Sequence, residues 1–214
     1  MIRLFVGLEL PDWIMEDLAE VQTGIPGARW IDQENYHLTL RFIGEVSEHV
    51  AADVDTELST LQMDAFHINV EGIGVFGGLE QPHTLWAGIK KSDPLKRLRK
   101  SVETRVQWAG VAPDRRKFHP HITLARLRHA PMDRVHGVLS AFHQLACGPF
   151  LVGRVVLFSS MLGKNGSVYT KERTYPLWGG GMELLSRDHL DVYGAEDDAD
   201  GIMGHEYAAC LASR

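Results

Sequence analysis

The tetrapeptide His37-Leu38-Thr39-Leu40 returns as His121-Ile122-Thr123-Leu124, 84 residues further along the chain. Each copy lies in a run that reads as a strand, residues 36–43 and 119–126. Alternate residues of a strand share a face. His37 and Thr39 therefore point one way, while Leu38 and Leu40 point the other, into a core. Ile122 and Leu124 do the same beside His121 and Thr123. If the copies hold related places in two lobes, both imidazoles and both hydroxyls converge on one cleft. This repeated strand, apolar on one side and chemically equipped on the other, restricts the fold more than any other feature of the chain.

The surrounding pattern supplies matching elements. Residues 1–8 read as a buried strand. Pro11 and Asp12 open a helix with Ile14, Leu18 and Val21 on one face. Ser47 is a candidate N-cap for a helix carrying Val50, Val54, Leu58 and Leu61 at helical spacing. Phe66 to Val75 and Thr84 to Ile89 read as strands. Asp93-Pro94 starts a helix with Leu95, Leu98, Val102 and Val106 along its stripe. Pro131 starts another with Val135, Val138 and Phe142. Residues 150–160 and 167–178 read as two strands joined around Lys164-Asn165-Gly166. Strands mixed with helices, without one helix per strand, predict an α+β fold. With 44% hydrophobic residues in 214, the chain can bury a sizeable core. The expected organisation is a single bilobal domain over residues 1–182, followed by an acidic appendage, 183–214. A short helix is expected in that appendage near His205 to Leu211.

Charge is unevenly distributed. The net charge is -6, and residues 183–214 carry eight acidic and two basic residues. Residues 1–89 hold 15 acidic and three basic residues, whereas 90–128 hold 12 basic and three acidic. A basic middle beside an acidic first third can hold a phosphate locally, but it is not the footprint of a protein that coats long duplex. Lys96, Arg97, Arg99 and Lys100 are expected to form a solvated helix face. No apolar run approaches the ~20 residues of a membrane span, and Leu4 to Leu8 lacks the features of a signal peptide. Cys147 and Cys210 form no CxxC pair, so a cytoplasmic location is expected.

Two histidines titrate near neutrality, with an ordinary pKa of ~6.5, so one can serve as base while the other serves as acid. Two threonine hydroxyls can donate hydrogen bonds to phosphoryl oxygens. A base for water, an acid for a leaving alkoxide and donors for a charged centre amount to phosphodiester hydrolysis, with no metal or cofactor required. A zinc site on His119 and His121, an HxH pair, is a competing reading, but it shows no obvious third ligand. A non-catalytic module that binds RNA ends or nucleotides is another.

The residues around both motifs resemble the 2H phosphoesterases, in particular the RNA 2′,3′-cyclic phosphodiesterases, also called 2′-5′ RNA ligases. The resemblance runs from near the N-terminus to about residue 178. It rests on Arg3 to Leu8, His37-Leu38-Thr39-Leu40-Arg41-Phe42-Ile43-Gly44-Glu45 and Gly74-Val75-Phe76-Gly77. Leu85 to Ile89, Pro120-His121-Ile122-Thr123-Leu124-Ala125-Arg126 and Val156 to Ser160 complete it. It implies two pseudo-symmetric antiparallel sheets facing a central cleft with helices outside, and a monomer acting on RNA ends or nucleotides bearing a 2′,3′-cyclic phosphate. It implies His37 as proton donor to the 3′ oxygen, His121 as the group that activates water, and Thr39, Thr123 and Arg126 as phosphate contacts. It also implies that the reverse ligation is open to the same site. Five residues past His121, Arg126 falls on the wrong face of a regular strand, so the strand must end, bulge or twist there. Arg41, four past His37, falls on the catalytic face by simple alternation and is a second candidate phosphate contact. His119 lies close enough to perturb the pKa of His121.

Overall fold

The structure, a computed structural model, describes residues 1–178 apart from 78, 79, 164 and 165. The acidic appendage, its expected helix and the Lys164-Asn165 turn lie outside the described residues. In chain order the strands and helices are β1 (Ile2–Glu9), α1 (Asp12–Ala19), β2 (Ala28–Trp30), β3 (His37–Val46) and α2 (Glu48–Ser59). Then come β4 (Phe66–Phe76), β5 (Thr84–Ile89), α3 (Asp93–Trp108), β6 (His121–Leu127) and α4 (Met132–Ala141). The last are β7 (Ala146–Val152), β8 (Arg154–Gly163) and β9 (Gly166–Pro176).

The strands form one curled antiparallel sheet in the order β7-β4-β5-β6-β3-β1-β8-β9, with β2 paired to β6. It divides naturally into two halves, β7-β4-β5-β6 and β3-β1-β8-β9. A single pair in register, Leu38 opposite Ile122, joins them. The expected pseudo-symmetry is visible in chain order: β1-α1-β3-α2 is echoed by β5-α3-β6-α4. The halves are not independent, because the chain leaves the half β3-β1-β8-β9 at β4 and returns to it at β8, and β2, between β1 and β3 in the chain, pairs with β6 of the other half.

Helix starts follow local chemistry. Ser47 Oγ accepts from the Val50 amide at 3.3 Å, and Ser92 Oγ accepts from the Leu95 amide at 3.2 Å, each satisfying an orphan donor of the first turn. The helices bury Ile14, Leu18, Val54, Leu58, Leu95, Leu98, Val102, Val106 and Val135 in one continuous core with Leu38, Leu40, Ile122 and Leu124. The helices thus cover the side of the sheet opposite the motif histidines. Burial of each such Leu, Ile or Val contributes ~1.5–3 kcal/mol. On the solvated side of α3, Lys96, Arg97 and Lys100 are exposed as expected, but Arg99 turns inward to Glu103 at 2.8 Å.

Two differences from the sequence reading concern strands. The run 150–160 is broken at Gly153 into β7 and β8, which belong to opposite halves of the sheet. β2 occupies a segment to which the sequence pattern assigned no element, and it pairs along β6 from Ala28–Leu127 to Trp30–Ala125.

Candidate active site

β3 and β6 run antiparallel about the Leu38–Ile122 pair, and both of those side chains are fully buried. That register sets His37 beside Thr123 and Thr39 beside His121 on the opposite face. Side chains directly opposite across a sheet have Cβ atoms ~5 Å apart, and diagonal ones ~7–8 Å. The two histidines therefore sit on one diagonal of a small quadrilateral and the two threonines on the other.

Both imidazoles are held in the same way. His37 Nδ1 donates to the Asn35 carbonyl at 2.8 Å, and His121 Nδ1 donates to the His119 carbonyl at 2.7 Å. A carbonyl oxygen only accepts, so the bond fixes the proton on Nδ1 and leaves Nε2 as the exchanging atom. Burial pushes the pKa of His37 below its ordinary value. The Asn35 carbonyl opposes that shift, and the charges of His121 and Arg126 add to it. Burial likewise lowers His121, opposed by the His119 carbonyl and reinforced by the His119 and Arg126 charges. The expected influence of His119 on His121 is present. Before an anion arrives, the neutral form of both rings is favoured.

Aromatic walls flank each ring. His37 packs against Phe5, with centroids 4.9 Å apart, and against the edge of Tyr169 at 5.0 Å. Phe5 stacks on Phe158 at 4.9 Å, and with Val156 they form a small cluster separate from the main core. His121 meets Phe76 at 4.8 Å, and Trp86 packs on His119 at 4.8 Å. Trp86 can lie flat there because Gly74 and Gly88 are beneath it. A Cβ on Gly74 would come within 2.4 Å of the indole, and one on Gly88 within 3.3 Å.

Each motif ends in a β-bulge at the same place. In β3, Thr39 pairs with Gly7 and Arg41 with Val6, leaving Leu40 as the extra residue. In β6, Thr123 pairs with Trp86 and Ala125 with Leu85, leaving Leu124 extra. A bulge resets the alternation. Leu124 and Ala125 are consecutively buried, and Arg126 returns to the face of His121. The bulge is the irregularity that the position of Arg126 required.

The same device corrects the expectation for Arg41. Leu40 and Arg41 are consecutively buried, and Arg41 is only 6% exposed. It lies on the helix side, with Nε 2.7 Å from Glu103 Oε2 and Nη1 3.9 Å from Asp114 Oδ2. It also donates to the carbonyls of Phe42 and Ala112. Arg41 is therefore a buried structural cation, away from the phosphate face, and Phe42 takes the cleft position that alternation had assigned to it.

The structure adds neighbours that the sequence did not single out. Arg126 Nη1 donates to Thr84 Oγ1 at 2.9 Å, and the same hydroxyl lies 3.0 Å from His83 Nδ1. Arg29 is directly opposite Arg126 across β2 and β6, so two guanidinium-bearing residues share one end of the cleft face. Glu9 is opposite His37, and its carboxylate is engaged by Arg154 at 2.7 Å and by Lys171. For the zinc reading, His119 and His121 have ring centroids 6.3 Å apart, and no group of three or more potential ligands occurs among the described residues. A cavity of about 620 Å³ lies away from the histidines, and Asp12, Glu16, Asp32 and Glu34 among its lining make it unsuited to phosphate.

An antiparallel sheet in two echoed halves, each presenting a histidine-threonine pair to the same face, defines the two-lobed architecture of the phosphoesterases that the motifs resemble. The sequence profile of the 2′-5′ RNA ligase superfamily matches residues 10–163, and the chain belongs to that family. It is 35% identical over 149 residues to the RNA 2′,3′-cyclic phosphodiesterase of Aeropyrum pernix, covering 69% of this chain and 84% of that protein. It is 29% identical to the protein of the same name from Archaeoglobus fulgidus, covering 81% of this chain and 99% of the relative. A crystal structure of a Thermus thermophilus protein superposes with a TM-score of 0.69 at 26% identity, covering 83% of this chain and 99% of that one. E. coli LigT complexed with 3′-AMP shares the fold, with a TM-score of 0.65 at 23% identity over 83% of this chain and 98% of that one.

Proposed function

We propose that the protein is an RNA 2′,3′-cyclic phosphodiesterase that opens a terminal 2′,3′-cyclic phosphate to a 2′-phosphate without a metal ion. The observation that carries this reading is the quadrilateral of His37, Thr39, His121 and Thr123, with both Nδ1 atoms tied back to carbonyls, which leaves Nε2 of each ring as the atom to exchange a proton. The curated relatives named for this reaction support it.

In this mechanism water attacks phosphorus and gives its proton to His121 Nε2. The bond from phosphorus to the 3′ oxygen breaks, and that oxygen takes the proton held on His37 Nε2. Thr39 and Thr123 donate hydrogen bonds to the non-bridging oxygens as their charge grows, and Arg126 adds a fixed cation. His37 must begin protonated although burial disfavours its charge; the phosphodiester anion restores it on binding, because an adjacent negative charge stabilises imidazolium. Each proton transfer contributes ~10²–10⁴ in rate. Microscopic reversibility opens 2′-5′ joining to the same groups, with a 2′,3′-cyclic phosphate and a hydroxyl end as reactants.

No helix among the described residues is long and apolar enough to cross a membrane. All the proposed catalytic groups come from one chain, which supports a monomer, and a reducing cytoplasm suits the cysteine usage. We assign catalysis to residues 1–182 and treat 183–214 as an appendage to it. Incubation with a defined oligonucleotide ending in a 2′,3′-cyclic phosphate, in EDTA, tests the activity. A 2′-phosphate product is expected. Turnover that disappears with chelator contradicts the mechanism. His37→Ala and His121→Ala should each lose most turnover with the fold intact, and full rate in both contradicts the assignment.

A further inference from the structure

We propose that Thr84 is a positioning residue for the phosphodiesterase reaction, its buried hydroxyl aiming the Arg126 guanidinium at the phosphate. The proposal rests on the phosphodiesterase reading and deepens it.

Thr84 and Arg126 are directly opposite across β5 and β6. Thr84 is only 1% exposed, whereas Arg126 is exposed on the face of His121. A guanidinium only donates, so Thr84 Oγ1 accepts from Arg126 Nη1 at 2.9 Å and keeps its own proton to give. His83 Nδ1, 3.0 Å away, takes that proton when the ring is neutral with its hydrogen on Nε2. The three groups then form a chain, Arg126 to Thr84 to His83, that uses the hydroxyl both as acceptor and as donor. The far end of the chain is itself fixed. The His83 amide donates to the Phe76 carbonyl at 2.8 Å, and its carbonyl accepts from the Leu127 amide at 3.0 Å. Gly77 leaves room for the ring, since a Cβ there would come within 2.6 Å of His83 Cδ2.

A buried hydroxyl is costly unless it is hydrogen-bonded. Valine suits a strand position of this kind equally well, so packing does not call for threonine. The echoed half makes the same point. The cross-strand pair that corresponds to Thr84 and Arg126 there is Phe5 opposite Phe42, and it holds no hydroxyl. The acceptor stands where the arginine is. Among the described residues no carboxylate pairs with Arg126, so Thr84 orients the guanidinium without neutralising it. The charge is left to act on the cleft: burial does most to lower the pKa of both imidazoles, and the Arg126 charge adds to it at each. A long exposed arginine otherwise has many rotamers to lose when an anion binds. A tether set during folding removes that cost from binding.

The test measures kcat/KM for uridine 2′,3′-cyclic phosphate. Thr84→Val keeps the branched shape and removes the hydroxyl, and it should lose about 5- to 50-fold, the worth of one hydrogen bond to a charged group. Thr84→Ser keeps the hydroxyl and removes a buried methyl, and it should stay within about twofold of wild type. Packing alone predicts the reverse order, because serine leaves a cavity and valine does not. In an Arg126→Ala background, Thr84→Val should change the rate by less than about twofold, since the tether has nothing left to aim. A valine variant at full rate, a serine variant slower than the valine one, or losses that multiply in the double variant overturn the proposal. Wild-type protein that leaves the ester closed contradicts the phosphodiesterase reading instead. Thr84 is then judged by calorimetric titration with uridine 2′-phosphate. Binding that is weaker in Thr84→Val than in Thr84→Ser, with no such difference in the Arg126→Ala background, upholds the tether, and equal or undetectable affinities overturn it.

Discussion

Replacing Arg41 by Leu separates a structural cation from a phosphate ligand. The guanidinium is buried and faces two carboxylates, Glu103 at 2.7 Å and Asp114 at 3.9 Å. Breaking a buried ion pair on one side costs ~3–5 kcal/mol when the remaining charge is orphaned. Here neither acid is fully orphaned: Arg99 remains 2.8 Å from Glu103, and Arg116 remains 2.9 Å from Asp114. The carbonyls of Phe42 and Ala112 lose their donor as well. The expected cost is ~2–3 kcal/mol, below the full penalty. A domain of this size loses ~2–4 °C in Tm per kcal/mol, so Arg41→Leu should melt about 4–12 °C below wild type. Thermal unfolding followed by circular dichroism reads the shift, and urea unfolding with an unchanged m-value confirms a loss of stability. A Tm within about 1 °C of wild type, together with a raised KM for a cyclic phosphate, would refute the reasoning and return Arg41 to the phosphate.

Three further outcomes follow from the geometry. His37 and His121 have pKa values depressed by burial, so below an unfolded pKa of ~6.5 the unfolded chain binds more protons than the folded one; their contribution to stability is present at pH 7 and is lost as pH falls through the folded values. Urea midpoints between about pH 7.5 and 5 should therefore fall further in wild type than in a His37→Asn, His121→Asn double variant, and parallel slopes contradict this. Hydrogen bonding from the Arg116 side chain, the largest influence on Asp114, holds its carboxyl down to about 2, which makes the pairing stabilising above the ordinary carboxylate range and lost only in strong acid; Asp114→Asn should destabilise at pH 7 and become neutral near pH 2. Gly74→Ala drives a methyl group into the Trp86 ring, so it should cost ~1–3 kcal/mol and reduce kcat by displacing the wall beside His119 and His121, and an unchanged Tm contradicts that packing.

The repeated strand motif made half of the central arrangement legible: a period of two puts His37 with Thr39, and His121 with Thr123, on one face of their own strands, and the Leu38–Ile122 pairing brings the two faces together. The helices were legible for the same kind of reason: Ser47, Asp93-Pro94 and Pro131 mark their starts, and Leu95, Leu98, Val102 and Val106 repeat at helical spacing. What periodicity could not reveal were its interruptions. Nothing in Leu40-Arg41 announces that both will be buried, so alternation gave Arg41 the place that Phe42 occupies. At Arg126 the conflict between face and resemblance did signal an irregularity, and the bulge at Leu124 is that irregularity. Residues 150–160 look continuous because a strand boundary at Gly153 changes the partner, not the composition. Thr84, Arg29 and Glu9 enter through cross-strand register, a long-range property that a linear reading does not contain.

The central claim is that His37 and His121 act on opposite sides of one phosphorus atom. A crystal structure of the protein with a uridine–vanadate complex, which mimics the five-coordinate transition state, tests it directly. The account predicts His37 Nε2 and His121 Nε2 each about 3 Å from an apical oxygen, on opposite sides of vanadium, with Thr39 and Thr123 on the equatorial oxygens. A complex in which both imidazoles approach from one side, or in which either is out of hydrogen-bond reach, contradicts it.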